Sequence, residues 1–137
     1  MIDVLADLPG YLLRRASASM LAEFTEKLSP LKLRPTDAST LVLIRENPNI
    51  TPSALGQLLG IQRANMVPLV AHLEKIGWVE RVAIDGRSFG LNLTLEGEDI
   101  CKQVKCVIEQ YEQSLMARIP ETHRDHLMPA LKALWSG

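Results

Sequence analysis

The stretch from Thr51 to Leu95 determines the fold class, and it reads TPSALGQLLGIQRANMVPLVAHLEKIGWVERVAIDGRSFGLNLTL. Its apolar residues first recur at helical spacing, in two segments separated by a short turn. They then alternate with polar or small residues on one side of a short polar loop, as in a two-stranded hairpin. This order presents one helix and one hairpin tip to a surface. Duplex DNA is the usual surface, because its major groove admits a helix and its minor groove a cationic loop.

The two predicted helices have helix-turn-helix spacing. Thr51 is a capping residue, and Pro52 fits the first helical position. Gly60 ends the short helix in the left-handed conformation that glycine adopts at little cost. The second helix starts at Gln62 and is closed by Gly77. The inward-facing residues are predicted to be Leu55, Leu58 and Leu59 on the first helix and Met66, Leu69, Val70, Leu73 and Ile76 on the second. A short helix, a three-residue turn with glycine and a longer helix are typical of this motif.

A hairpin is predicted to follow the second helix. Residues 78–83 are rich in β-forming side chains, and residues 89–95 alternate between apolar and polar or small ones. Asp85-Gly86 is a strong turn signal between them. The hairpin is therefore the wing of a winged helix-turn-helix.

Further helices are predicted on both sides of this stretch. One covers residues 8–28, with Pro9 in its first turn, and another begins at about Thr36 as its cap. After the cap Thr94, a long helix carries a narrow apolar seam fit for a partner helix, formed by Ile100, Val104, Val107, Tyr111 and Leu115. A last helix after Pro120 carries Leu127, Leu131 and Leu134.

These elements predict a mainly α (α+β) fold, a winged helix-turn-helix with long N- and C-terminal dimerisation helices. Residues 1–34 and 95–137 form the expected dimerisation region, and residues 35–94 the expected DNA-binding region, within one integrated domain. A chain of 137 residues is long enough for one such core.

Composition excludes several other classes. Aromatic residues make up only 4% of the chain, too few for a base-stacking platform. No catalytic triad, glycine-rich phosphate loop or metal-ligand spacing is present, so we expect neither an enzyme nor a cofactor or metal site. No apolar run could span a bilayer, and the start of the chain does not resemble a secretory signal, so a cytoplasmic location without membrane contact is expected.

The net charge of −1 is distributed unevenly. Residues 51–93 hold four cations and three anions, whereas residues 94–137 hold five cations and seven anions. The central part is therefore the cationic one, though weakly. Because phosphate contacts carry much of the affinity for DNA, we expect modest non-specific binding and a reliance on dimerisation.

The chain resembles the MarR (multiple antibiotic resistance regulator) family of bacterial transcription factors. The matching segments are LGQLLGIQRANMVPLVAHLEKIGWVER at 55–81, the wing DGRS at 85–88, and LTLEGEDI at 93–100. The most specific of these is the D-x-R of the wing followed by L-T-x-x-G. The long helices predicted at both ends extend the resemblance over nearly the whole chain.

The resemblance implies a homodimeric regulator, usually a repressor, that binds a pseudo-palindromic operator in double-stranded DNA and is released by a small phenolic or aromatic ligand. By position it implies base-edge contacts from the start of the recognition helix, at Gln62, Arg63, Ala64 and Asn65. Arg87 is similar to the wing arginine that enters the minor groove, Asp85 to its aspartate brace, and Ser53 to a phosphate-contacting residue.

Two features depart from the family pattern. Many relatives have D-R-R where this chain has Asp85-Gly86-Arg87, so the wing has one cation fewer. Pro68 lies inside the recognition helix, where it removes a backbone hydrogen bond. We expect it to bend the helix or loosen its first turn, which affects the pose of Gln62 to Asn65.

The ligand is expected near the start of the first helix, where the family binds its effectors. Arg14 or Arg15, next to Tyr11, could hold a carboxylate through two hydrogen bonds. Met20 and Trp78 could supply an apolar wall. The alternative is that both arginines are exposed or pair with glutamates across the dimer.

Two other functions remain open at this level. A winged-helix module that binds another protein and not DNA would fit the weak charge. A cysteine-based redox response would need Cys101 or Cys106, but these lie on different faces of one helix and cannot pair with each other. Buried or idle thiols are the ordinary interpretation.

Overall fold

A computed structural model describes residues 1–136. In chain order its elements are α1 (Pro9–Leu28), a 3₁₀ turn (Ser29–Leu31), α2 (Pro35–Glu46), α3 (Pro52–Leu59), α4 (Arg63–Ile76), β1 (Val79–Ala83), β2 (Phe89–Leu93), α5 (Leu95–Arg118), a second 3₁₀ turn (Glu121–His123) and α6 (Arg124–Trp135). The predicted mainly helical fold with one antiparallel hairpin is confirmed.

The turn between α3 and α4 forms as the sequence predicts. The Thr51 hydroxyl accepts the Ala54 N–H at 3.2 Å, with Pro52 at the first helical position. Gly60 has φ +67°, and the Ile61 N–H donates to the Gly56 carbonyl at 2.9 Å, which closes α3. These local bonds fix how α4 leaves the turn.

Two local predictions are wrong. The cap of α2 is Arg34 and not Thr36, because Pro35 occupies the first helical position, where its missing N–H costs nothing. The buried carboxylate of Asp37 accepts the Arg34 N–H at 3.1 Å. Leu58 was expected to face inward, but it is 54% exposed. The fully buried residues of the short α3 are Leu55 and Gly56.

The wing is tied to the loop before α3. β1 and β2 pair antiparallel, with Val79 opposite Leu93. The Leu91 N–H donates to the Ile50 carbonyl at 2.8 Å, so the loop adds a one-residue bridge to the sheet. Beside it, Asn49 and Asn92 exchange two hydrogen bonds, at 2.8 Å and 2.7 Å.

The core lies where α2, α3, α4, β2 and α5 meet the end of α1. Its fully buried side chains include Leu28, Leu41, Ile44, Leu55, Met66, Leu73, Leu91 and Val104. α4 contributes the predicted stripe, with Ile76 at its half-buried end. This arrangement leaves the opposite side of α4 to solvent.

The apolar seam of α5 packs within the chain. Val104 is fully buried, and the Tyr111 ring stacks on Phe24 of α1 with 5.3 Å between centroids. The Tyr111 hydroxyl donates to the Met20 carbonyl at 2.8 Å. The helices that this seam packs against are therefore α2 and α1 of the same chain.

The two ends of the chain leave apolar side chains uncovered. The exposed ones before and early in α1 are Met1, Ile2, Val4, Leu5, Leu8, Leu12 and Leu13, and those of α6 are Met128, Leu131, Leu134 and Trp135. α6 has no buried residue. Among residues 1–136, no helix combines the length and apolarity that crossing a membrane requires.

Candidate nucleic-acid interface

The recognition helix begins with its polar residues in solvent. Gln62 is the cap of α4, and its side chain makes no capping hydrogen bond. Arg63, Ala64 and Asn65 form the first turn and are exposed, and the Asn65 N–H donates to the Gln62 carbonyl at 2.9 Å. Pro68 has no N–H to donate to the Ala64 carbonyl, yet α4 continues through it to Ile76 as one helix.

The wing tip is shaped by one carboxylate. Asp85 accepts the backbone N–H groups of Arg87 and Ser88, each at 2.9 Å. These hydrogen bonds, first that from Arg87, hold the pKa of Asp85 below its usual range. Asp85 thus braces the backbone of the tip and not the Arg87 guanidinium. Within residues 1–136, the Arg87 side chain makes no ion pair.

Arg81 joins the wing to the recognition helix. Its Nε lies 2.8 Å from a carboxylate oxygen of Glu74 on α4, and its guanidinium lies 4.2 Å above the Phe89 ring. From the sequence, we expected Arg81 either to contact phosphate or to be exposed to solvent. Its pairing with Glu74 was not predicted. A glutamate and an arginine seven positions apart across a turn give no periodic signal, so only the folded geometry reveals them.

A groove of about 450 Å³ separates α4 from the wing. Three of the predicted DNA-contacting residues line it, namely Ser53, Arg63 and Arg87. Gln62 lines a neighbouring cavity of about 340 Å³ together with Ser53 and Arg63. The structure therefore brings these residues to one face of the molecule. Val67, Ser88 and Phe89 also line the groove, and sequence reasoning did not single them out.

Like Arg87, Arg63 has no ion-pair partner in the described part of the chain. Two guanidinium groups that make no ion pair within the described residues thus border one groove between a helix and a hairpin tip. Such a face can accept a polyanion whose charges run on both sides of the helix.

Comparison with known proteins gives the same fold. The sequence model of the MarR family matches residues 33–89, which hold α2, α3, α4 and the wing. The structure superposes on the transcriptional repressor CouR bound to a 23-mer DNA duplex with a TM-score of 0.90, at 29% identity and 98% coverage of both chains. The chain belongs to the MarR family of winged-helix transcriptional regulators.

Two further relatives are similar to this MarR-family chain. CouR from Rhodococcus jostii RHA1 bound to p-coumaroyl-CoA has a TM-score of 0.85 and 26% identity, covering 97% of this chain and 95% of that one. The transcriptional repressor MprA of Escherichia coli K12 is 32% identical over 94 residues, which are 67% of this chain and 53% of that protein.

The residues expected to hold a MarR-family ligand do not form one site in the protomer; they lie in three different places. Arg15 donates to the Tyr11 hydroxyl at 3.0 Å, and the guanidinium groups of Arg14 and Arg15 lie 5.5 Å and 5.8 Å from the Tyr11 ring centre. Met20 lies beside Tyr111 of α5. Trp78 is half-buried at the α4–β1 turn, where its carbonyl accepts the Thr94 N–H at 3.1 Å. Among the hydrogen bonds and ring contacts described for residues 1–136, none joins Trp78 to Tyr11.

The two cysteines differ in environment. Cys101 is fully buried, and its burial raises the pKa of the thiol despite the opposing effect of Arg45. Cys106 is exposed. Within residues 1–136, no three metal-ligating side chains cluster.

Proposed function

We propose that this protein is a homodimeric, sequence-specific repressor that binds pseudo-palindromic operators in double-stranded DNA. The observation that carries the proposal is the pair of unpartnered guanidinium groups, Arg63 and Arg87, on the rim of one groove between the recognition helix and the wing. The likeness to CouR bound to a DNA duplex supports it.

Each protomer inserts α4 into a major groove. Arg63 suits the two acceptors of guanine and Asn65 the adenine edge, while Gln62 and Ala64 lie against neighbouring base edges. Arg87 enters the adjacent minor groove on a tip held by Asp85, and Ser53 contacts phosphate. All seven residues are exposed. The Asp85 carboxylate already accepts backbone N–H groups of the wing tip.

Residues 1–34 and 95–137 form the dimerisation region, and residues 35–94 form the DNA-binding region. The uncovered apolar side chains of the N-terminal segment and α6 support this division, because a second copy would bury them. A two-fold dimer places its two α4 helices in half-sites about 34–36 Å apart, one turn of DNA.

A small aromatic acid releases the operator. The cluster of Tyr11, Arg14 and Arg15 offers two cations beside a ring, which suits a carboxylate attached to an aromatic group. Met20 and Trp78 supply apolar wall once the dimer is assembled. The p-coumaroyl-CoA complex of CouR supports an aromatic acid derivative as the ligand class. Binding favours a dimer conformation whose helices no longer span both half-sites.

The test is to sequence genomic fragments retained by the purified protein, with and without a panel of aromatic acids. We expect a short set of fragments that share an inverted repeat and are lost in the presence of one acid. Affinity for the best fragment should fall steeply with salt concentration, as counterion release requires. Equal retention of random and genomic DNA would contradict a repressor and favour a protein-binding module.

A further inference from the structure

The outward side of the recognition helix is largely apolar over two turns. The buried stripe of α4 is Met66, Leu69, Val70 and Leu73. At 100° per residue, Ala64, Pro68 and Ala71 lie opposite this stripe, and Val67 and the polar His72 lie equally far to either side of them; all five are exposed. Val67 alone is 68% exposed. A single exposed apolar side chain is ordinary on a protein surface, so the significance of Val67 comes from its place beside the two arginines of the groove.

Cationic and hydroxyl groups surround this apolar side. Val67 lines the groove that also holds Arg63 and Arg87, with Ser53 and Ser88 on its rim. A protein partner with a matching apolar patch would have to enclose two guanidinium groups that make no ion pair within the described residues. Duplex DNA supplies phosphates for those cations and, in its major groove, one apolar group on the base edges, the 5-methyl of thymine.

We propose that Val67, with Ala64 one helical turn before it, determines operator specificity by contacting thymine 5-methyl groups. Each half-site therefore carries thymine opposite the middle of α4, while hydrogen-bonded readout is confined to Gln62, Arg63 and Asn65 at its start. This inference rests on the proposed function, since it names what the DNA-binding face reads.

The experiment uses the full-length protein and the tightest duplex recovered by selection from a random pool. Each thymine is replaced in turn by deoxyuridine, which deletes the methyl group and keeps the base pair. Affinity is measured by fluorescence anisotropy for the wild type, for Val67→Ala and for Leu58→Ala. Leu58 is a matched control because it is an exposed apolar residue on α3, outside the recognition helix.

We expect deoxyuridine at one thymine of each half-site to weaken wild-type binding about fourfold, and roughly fifteenfold when both half-sites are substituted, as loss of one buried methyl per half-site predicts. Leu58→Ala should show the same sensitivity. Val67→Ala should bind the unmodified duplex more weakly than the wild type. Its affinity should no longer change when deoxyuridine replaces the one sensitive thymine of each half-site. Because Val67 is exposed, its truncation should leave the melting temperature unchanged.

Three results overturn the inference and leave the proposed function standing. The first is a wild-type protein insensitive to deoxyuridine at every thymine, and the second is a sensitivity that Val67→Ala retains in full. The third is a Val67→Ala protein that binds every duplex as tightly as the wild type, because Val67 then contributes nothing to DNA binding. Selection that recovers no preferred duplex overturns both the inference and the proposed function.

Discussion

At the wing tip, a single side chain holds the backbone that carries Arg87. Two N–H donors stabilise the ionised Asp85 carboxylate and lower its pKa. Its contribution to the order of the wing tip is therefore complete above the ordinary aspartate pKa of 3.8 and is lost as the pH falls through the lowered pKa. We expect the amide resonances of Arg87 and Ser88 to titrate with a midpoint below 3.8. Asp85→Asn keeps an acceptor oxygen but does not ionise there, so its amides should not titrate. A midpoint at or above 3.8 in the wild type would contradict this account.

Arg63 is the recognition-helix cation best suited to a base edge. Arg63→Ala should weaken operator binding by about 1–3 kcal/mol and relax the preference at one base pair. The measurement is a titration against single-base variants of the selected operator. Lys75→Ala is the control, because Lys75 lies in the last turn of α4 and should alter affinity without altering base preference. An unchanged preference after Arg63→Ala would exclude it from base readout.

The junction of β1 and α5 depends on the absence of one side chain. A Cβ at Gly97 would collide with the Trp78 carbonyl oxygen, which is backbone and cannot rotate away. Gly97→Ala should therefore lower the free energy of unfolding by about 1–3 kcal/mol. At Gly86 in the wing tip nothing lies within 4 Å of such a Cβ, so Gly86→Ala is the matched control. Urea denaturation measures both, and equal stability of the two variants would refute the close approach.

At the scale of elements, local signals predicted most of the fold. Thr51, Gly60 and the stripe on α4 depend on contacts within a few residues, and these predictions are confirmed. The predicted cap of α2, Thr36, was wrong because Pro35 takes the first helical position, which makes Arg34 the cap. The sequence grouped the recognition-helix and wing residues, but not Val67, Glu74 or Asn49, whose roles depend on neighbours far along the chain.

For the whole molecule, the proposed dimer determines whether two recognition helices act together. Leu134 on α6 is 67% exposed, so Leu134→Glu should leave the protomer folded while placing a charge in the interface twice, once from each copy. We expect the dimer to dissociate at least about 100-fold more readily, from the lost burial of two leucine side chains. Sedimentation velocity measures this. Leu58→Glu, on α3, should remain dimeric, and a dimeric Leu134→Glu protein would place the interface elsewhere.

The paired amides of Asn49 and Asn92, with the Ile50–Leu91 bridge, have a consequence for how this protein can be switched off. They join the hairpin to the chain just ahead of α3, and the Arg81–Glu74 contact joins it to α4. We therefore expect the hairpin and the reading helix to shift together. In the proposed dimer, an inducer would then act by tilting each such unit against the terminal helices, which changes the distance between the two copies and leaves each copy's own reading surface intact.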